Sequence, residues 1–179
     1  LVALFMKRRL KLTAPEHRLA VLVGLFQFSG NFLFVYNAEL YVTSGIVAMM
    51  FALLMVPNAI FARIFIGEKV QGGFLLGSAV AIVGVSFLLW HEWQSNPDAG
   101  VIGGNVGLGI GLAMLGILAA SVANVIQANP TGRAVPMVSL LAYAMLYGTV
   151  FDLGFAWVTA GPPPFPTSAS YWGGIVYLA

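Results

Sequence analysis

Polar side chains inside long apolar stretches are the residues of this sequence whose types and spacing could do chemistry. Gln27 and Asn31 are one helical turn apart, so both amides would lie on the same side of a helix. Amides are costly to expose to lipid, which leaves two interpretations open. They form hydrogen bonds between helices, or they line the path of a polar substrate.

Two carboxylates are further candidates. Asp152 is the acid that falls inside a predicted span, about two helical turns from the end of that span. It either titrates in a proton-coupled step or lies at the membrane interface if the helix ends early. Glu39 follows Asn37 at the predicted start of the next helix, where it would cap that helix or gate the mouth of a cavity. Both acids are the candidates for proton coupling.

Two more polar stripes occur in separate apolar stretches, Ser121 with Asn124 and Ser139 with Tyr143 and Tyr147. Three such stripes indicate one shared polar interior better than three unrelated hydrogen-bond pairs. The candidate substrate-binding residues are therefore Gln27, Asn31, Glu39, Asn124, Tyr143 and Tyr147.

The sequence supports neither a metal site nor the common catalytic motifs. The sequence has no cysteine and only two well-separated histidines, His17 and His91, so no metal site is expected. It contains no arrangement of serine, histidine and acid, no phosphate-binding loop and no paired carboxylates within a span. We therefore expect neither an enzyme nor a cofactor.

Composition identifies the surroundings of these residues. Charged residues make up 8% of the chain and apolar residues 60%, with a mean hydropathy of +0.93. Soluble domains carry about a quarter charged residues, so the lipid bilayer is the expected partner. The basic residues flank apolar stretches instead of forming a stripe, which argues against nucleic acid. Nothing in the sequence predicts an oligomeric state.

Apolar intervals of about 20 residues, the length that crosses a membrane as a helix, divide the chain. They predict five complete spans, at residues 19–38, 40–62, 70–90, 105–128 and 137–159. Residues 1–5 read as the end of an earlier span and Tyr171 as the start of a later one, which indicates part of a longer protein. Pro57 predicts a kink in the second span.

The eight Lys and Arg residues fall in three loops, residues 6–18, 62–70 and 129–136, which the predicted spans put on one side. Basic loops accumulate in the cytoplasm, so this side is predicted to be inside. The four tryptophans fall near the opposite ends of the spans, as expected for interfacial indoles. Gly73, Gly77 and Ala81 predict close packing of the third span against a neighbour.

One segment resembles a known family. The run from Tyr36 to Ala48, Pro57, the Ile66-Gly67-Glu68-Lys69 turn and the glycine-rich helix that ends near Val85 are similar to the EamA domain of the drug/metabolite transporter superfamily. This resemblance implies an all-α polytopic membrane protein, a helical bundle that is a fragment of a ten-helix transporter built from two inverted five-helix repeats.

By this resemblance, residues 1–90 hold the end of helix 2 to helix 5 of the first repeat. Residues 91–104 form the outer loop between repeats, and residues 105–179 hold helices 6, 7 and the start of 8. The family implies a secondary transporter, more often an exporter, of amino acids, drugs or other small metabolites across a bacterial-type inner membrane. The alternative from another class is a structural or assembly subunit that transports nothing.

Overall fold

A computed structural model describes residues 11–95, 105–162 and 168–178, apart from the side chains of residues 92, 93 and 178. Every regular element in these ranges is a helix. In chain order they are α1 (Ala14–Ala38), α2 (Ser44–Phe65), α3 (Gly72–Ser95), α4 (Val106–Ala128), α5 (Pro130–Ala134), α6 (Met137–Ala160) and α7 (Ala169–Leu178).

Five of these helices, α1 to α4 and α6, are long and apolar enough to cross a membrane. Their spans contain 20 to 25 residues, which covers the roughly 30 Å of a hydrocarbon core. The predicted all-helical, membrane-embedded architecture is confirmed at this level. Its arrangement as inverted repeats, with a boundary in residues 91–104, stays a prediction, and α3 continues to Ser95 within that interval.

The first helix begins earlier than the charge pattern predicted. It starts at Ala14 instead of residue 19, because Thr13 and Glu16 form a capping box and Pro15 occupies the first turn. A proline there loses no hydrogen bond, since the first amides of a helix have no partner within it. Residues 14–18, which were predicted to be loop, are therefore the first turn of α1.

The second helix begins later than predicted, at Ser44 instead of residue 40. Thr43 precedes it with an extended backbone, and the chain turns through residues 39–43. Val42 is fully buried in this turn and anchors it on α4, where a side-chain carbon built on Gly109 would lie 2.8 Å from Val42 Cγ1. Burial of this valine between two helices sets where the turn ends.

The middle of α2 is irregular near Pro57, where a kink was predicted. A 3-10 segment, Ala52–Leu54, interrupts the helix shortly before the proline, which has no amide hydrogen to give to the preceding turn. The chain leaves the helix at Gly67, whose φ of 78° allows the Glu68 amide to donate to the Ala62 carbonyl at 3.3 Å. Glycine is the favoured residue for ending a helix with a left-handed backbone.

α4 is the centre of the bundle. Half of its most apolar stretch is buried, against 33% for α1 and 11% for α3. α1 packs antiparallel against α4 and runs parallel to α6, while α2 packs on another part of α4. The N-terminus of α1, the loop after α2, α5 and the N-terminus of α6 meet at one end, which carries Lys11, Arg18, Arg63, Lys69 and Arg133 and which we call the basic end.

Close packing is not seen at the α3 glycines for which it was expected. On α3, a side-chain carbon added to Gly73, Gly77 or Gly84 would have nothing within 4 Å, so the predicted packing of α3 through this stripe is wrong for the described residues. The tight contact lies between α1 and α6. A side-chain carbon on Gly24 would lie 2.5 Å from the Ala144 carbonyl oxygen, and one on Gly148 would lie 2.7 Å from Phe28 Cβ.

Candidate functional site

Two separate apolar clusters leave a polar layer between them. At the basic end, Leu19, Ala20 and Val23 of α1 pack with Leu140 and Ala144 of α6. At the opposite end, the cluster joins Ala38, the first half of α2, Val85 and the first half of α4. We call the residues between the clusters the polar layer: Gln27, Ser29, Asn31, Ser121 and Asp152.

The α1 part of the polar layer has unusual backbone geometry. Residues Gly24–Gly30 form a π-helix between two α-helical halves, so α1 is wider there than an ordinary helix. Such segments are rare and occur frequently at functional sites. Gln27 lies in the middle of this segment, and its Oε1 atom is buried with no hydrogen-bond partner. The only local sign of this geometry in the sequence is the glycine at each end.

Asn31 follows the π-helical segment and faces α4. Its side chain is only 7% exposed, and its Oδ1 lies 3.4 Å from the position of a side-chain carbon on Gly116. That oxygen has no hydrogen-bond partner, and neither does Oγ of the fully buried Ser121 on α4. Gly30 faces Ala119 across the same interface, which brings Gln27 to the level of Ser121 on the antiparallel helix.

Asp152 lies on the face of α6 that packs against α1. Ala144 and Gly148 contact Gly24 of α1, and Asp152 continues their row one turn further along α6. Its Oδ1 atom is buried without a partner. The helix continues for eight residues beyond it, to Ala160, so an early helix end does not place this acid at the interface.

Tyr143 and Tyr147 join a histidine that the sequence did not single out for this role. Tyr147 Oη lies 2.9 Å from Nδ1 of His17, and the rings of His17 and Tyr143 meet edge to face with centroids 4.9 Å apart. All three side chains are half-buried between α1 and α6 at the basic end. Sequence inspection missed His17 because the extra turns of α1 that carry it were predicted to be loop.

We expect Tyr147→Phe to lower the free energy of unfolding by about 1 kcal/mol, since it removes the hydrogen bond to His17 but keeps the ring. Tyr143→Phe is the matched control, because the contact of Tyr143 with His17 is between rings and survives the loss of the hydroxyl. Thermal unfolding of both variants in detergent tests this. Equal destabilisation by the two substitutions would show that the hydrogen bond does not contribute.

Asn124 pairs with a second residue that the sequence did not single out. Its Nδ2 donates to Oδ1 of Asn58 on α2 at 3.4 Å, which is a long hydrogen bond between two half-buried side chains. Asn124 also lines a cleft of about 390 Å³ at the basic end, together with Gln127, Arg133 and Leu140. This cleft is lined by α4, α5 and the start of α6, so it opens near the loops and not within the polar layer.

Glu39 lies apart from the other candidates. It is the C-terminal cap of α1, near the end opposite the basic end, and not the start of α2. The predicted capping role is therefore wrong, because a carboxylate at a helix C-terminus faces the negative end of the helix dipole. A gating role for Glu39 stays a prediction.

The structure thus separates the six predicted binding residues into three groups and one outlier. Gln27 and Asn31 lie in the polar layer with Ser121 and Asp152. Tyr143 and Tyr147 lie toward the basic end with His17, and Asn124 pairs with Asn58 across α2 and α4. Glu39 belongs to none of these groups.

No family model, curated protein or solved structure matches this chain.

Proposed function

We propose that this protein is a secondary carrier that moves small organic metabolites across a cell membrane by alternating access. The observation that carries the proposal is the set of buried polar atoms without partners in the polar layer: Gln27 Oε1, Asn31 Oδ1, Ser121 Oγ and Asp152 Oδ1. Each unsatisfied buried group costs about 1 to 3 kcal/mol. A substrate or water that enters the layer would supply the missing hydrogen bonds.

The alternative is a membrane subunit whose polar residues only hold helices together. In such a protein we expect the buried amides to pair with each other, as Asn58 and Asn124 do. The unpartnered atoms of Gln27 and Asn31 favour the carrier, because a purely structural role gains nothing from them.

The resemblance to EamA domains extends this proposal. By this resemblance, the chain would run from the end of helix 2 to the start of helix 8 of a ten-helix protein with two inverted repeats. The protein would then work as an exporter. The basic end would face the cytoplasm of a bacterial-type cell, in agreement with the positive-inside rule. Asp152 would be the proton-coupling acid, with Glu39 as its rival, although a facilitator or exchanger would need neither.

Transport by the full-length protein in proteoliposomes tests the proposal. We expect uptake, driven by a substrate gradient, of at least one compound from a broad panel of amino acids and other small metabolites, above the rate in protein-free liposomes. The same panel measured with and without a pH gradient would reveal proton coupling. If correctly folded protein moves no compound under any condition, the structural subunit becomes the better explanation.

A further inference from the structure

The contact between α2 and α4 at the basic end contains unfilled space. An apolar groove of about 370 Å³ lies between the two helices, lined by Phe61, Phe65 and Ile66 on α2 and by Val122, Val125, Ile126 and Asn129 on α4. We call this contact the α2–α4 seam. Close packing is the rule in protein interiors, so a groove of this size marks a place where the two helices leave the space between them unfilled.

Two polar links bracket the groove. Asn58 and Asn124 join the helices at its deeper end through the 3.4 Å hydrogen bond. At its mouth, Arg133 Nη2 lies 3.0 Å from Glu68 Oε1, which ties the loop after α2 to α5. Polar side chains therefore link both ends of the seam, and the apolar groove lies between them.

Both links are weak. The side chains of Arg133 and Glu68 are 63% and 55% exposed, and an ion pair of this kind contributes up to about 1 kcal/mol. The contacts of α1 are of another kind, because Gly24 and Gly148 bring its backbone directly against α6. Side chains therefore form the described links of the α2–α4 seam, whereas backbone atoms meet between α1 and α6.

We propose that the α2–α4 seam is the gate at the basic end, and that the Arg133–Glu68 ion pair is its latch. Opening would break the ion pair first and the Asn58–Asn124 bond second, which would connect the loops of the basic end with Ser121 and the rest of the polar layer. This inference rests on the proposed carrier function, since it names how access to the polar layer is controlled.

Cysteine accessibility tests the latch without any substrate. The given sequence has no cysteine, so in a full-length protein otherwise free of cysteine Val125→Cys places a single thiol in the wall of the groove, where the residue is only 8% exposed. The measurement is the rate at which a membrane-impermeant methanethiosulfonate reagent labels this thiol in the full-length protein. We expect Glu68→Lys or Arg133→Glu to raise that rate about two- to fivefold, because each replaces attraction by repulsion.

The double variant with both reversals should return labelling to the original rate, because it restores an ion pair of opposite polarity. Lys69→Gln, which removes an exposed charge beside Glu68, should leave the rate unchanged. Ile60→Cys, on the exposed side of α2, should stay unlabelled in every background, since a thiol in lipid does not ionise.

Unchanged labelling in both single reversals, or acceleration that the double reversal does not cancel, would overturn the latch. The outcome is independent of the transport assay. If the protein labels as expected but transports nothing, the latch is supported and the carrier function is not. If it transports but its labelling does not respond to the reversals, the carrier function is supported and the latch is not.

Discussion

Gly24→Ala is expected to destabilise the protein by about 1 to 3 kcal/mol, the usual cost of extra atoms in a close-packed contact. The added carbon would lie 2.5 Å from the Ala144 carbonyl oxygen and 3.0 Å from the Gly148 amide nitrogen. Both are backbone atoms, so no side chain can move aside and the two helices must separate. We expect the melting temperature in detergent to fall and the folded fraction in size-exclusion chromatography to drop.

The matched control is the same substitution on α3. Nothing lies within 4 Å of a side-chain carbon on Gly77, so Gly77→Ala should be neutral or stabilise the helix by up to about 1 kcal/mol. Gly148→Ala should resemble Gly24→Ala, since its added carbon would lie 2.7 Å from Phe28 Cβ. If Gly24→Ala and Gly77→Ala shift the melting temperature equally, the α1–α6 contact is not as close as the structure has it.

Asn31→Leu is expected to lower transport at least about tenfold while the protein still folds, because it removes a hydrogen-bonding group from the polar layer at nearly constant volume. The Oδ1 atom has no partner in the protein, so its removal breaks no bond between helices. If the amide served only to join helices, the substitution would instead lower the stability and leave the rate of uptake unchanged. The measurement is the initial rate of substrate uptake in proteoliposomes, alongside the melting temperature.

Asn37→Leu provides the control for this prediction. Asn37 lies on the same helix, but it is exposed and its amide donates to the Leu33 carbonyl of its own helix at 2.7 Å. Its replacement should leave both uptake and stability close to those of the unmodified protein. If neither Asn31→Leu nor Gln27→Leu lowers the rate of uptake, the two amides do not line the substrate path.

The longest features of the fold could be predicted from the sequence, and the starts of α1 and α2 could not. Uninterrupted apolar runs are sufficient to define spans, because every backbone polar group in lipid must be paired within its own helix. The start of α1 depended on a capping box that includes the charged Glu16, which a count of uncharged residues excludes. The start of α2 depended on where Val42 finds a buried site on α4.

The candidate residues show the same division. Polar stripes in apolar runs identified Gln27, Asn31, Asn124, Tyr143 and Tyr147 because a single helix face is visible in residue spacing. Their partners His17 and Asn58 lie on other helices, and nothing in local spacing reports a neighbour 130 or 66 residues away.

A multi-helix membrane protein with basic residues gathered at one end follows from the sequence alone, since apolar length and charge are local properties of the chain. Which side chains meet is settled only in the folded bundle. Small residues occur at helical spacing on α3 as well as around Gly24 and Gly148, yet the α3 glycines touch no neighbour, whereas Gly24 and Gly148 bring the backbones of α1 and α6 together. Hydropathy determines which segments enter lipid, whereas the choice of neighbour depends on the fit between surfaces that are similarly apolar.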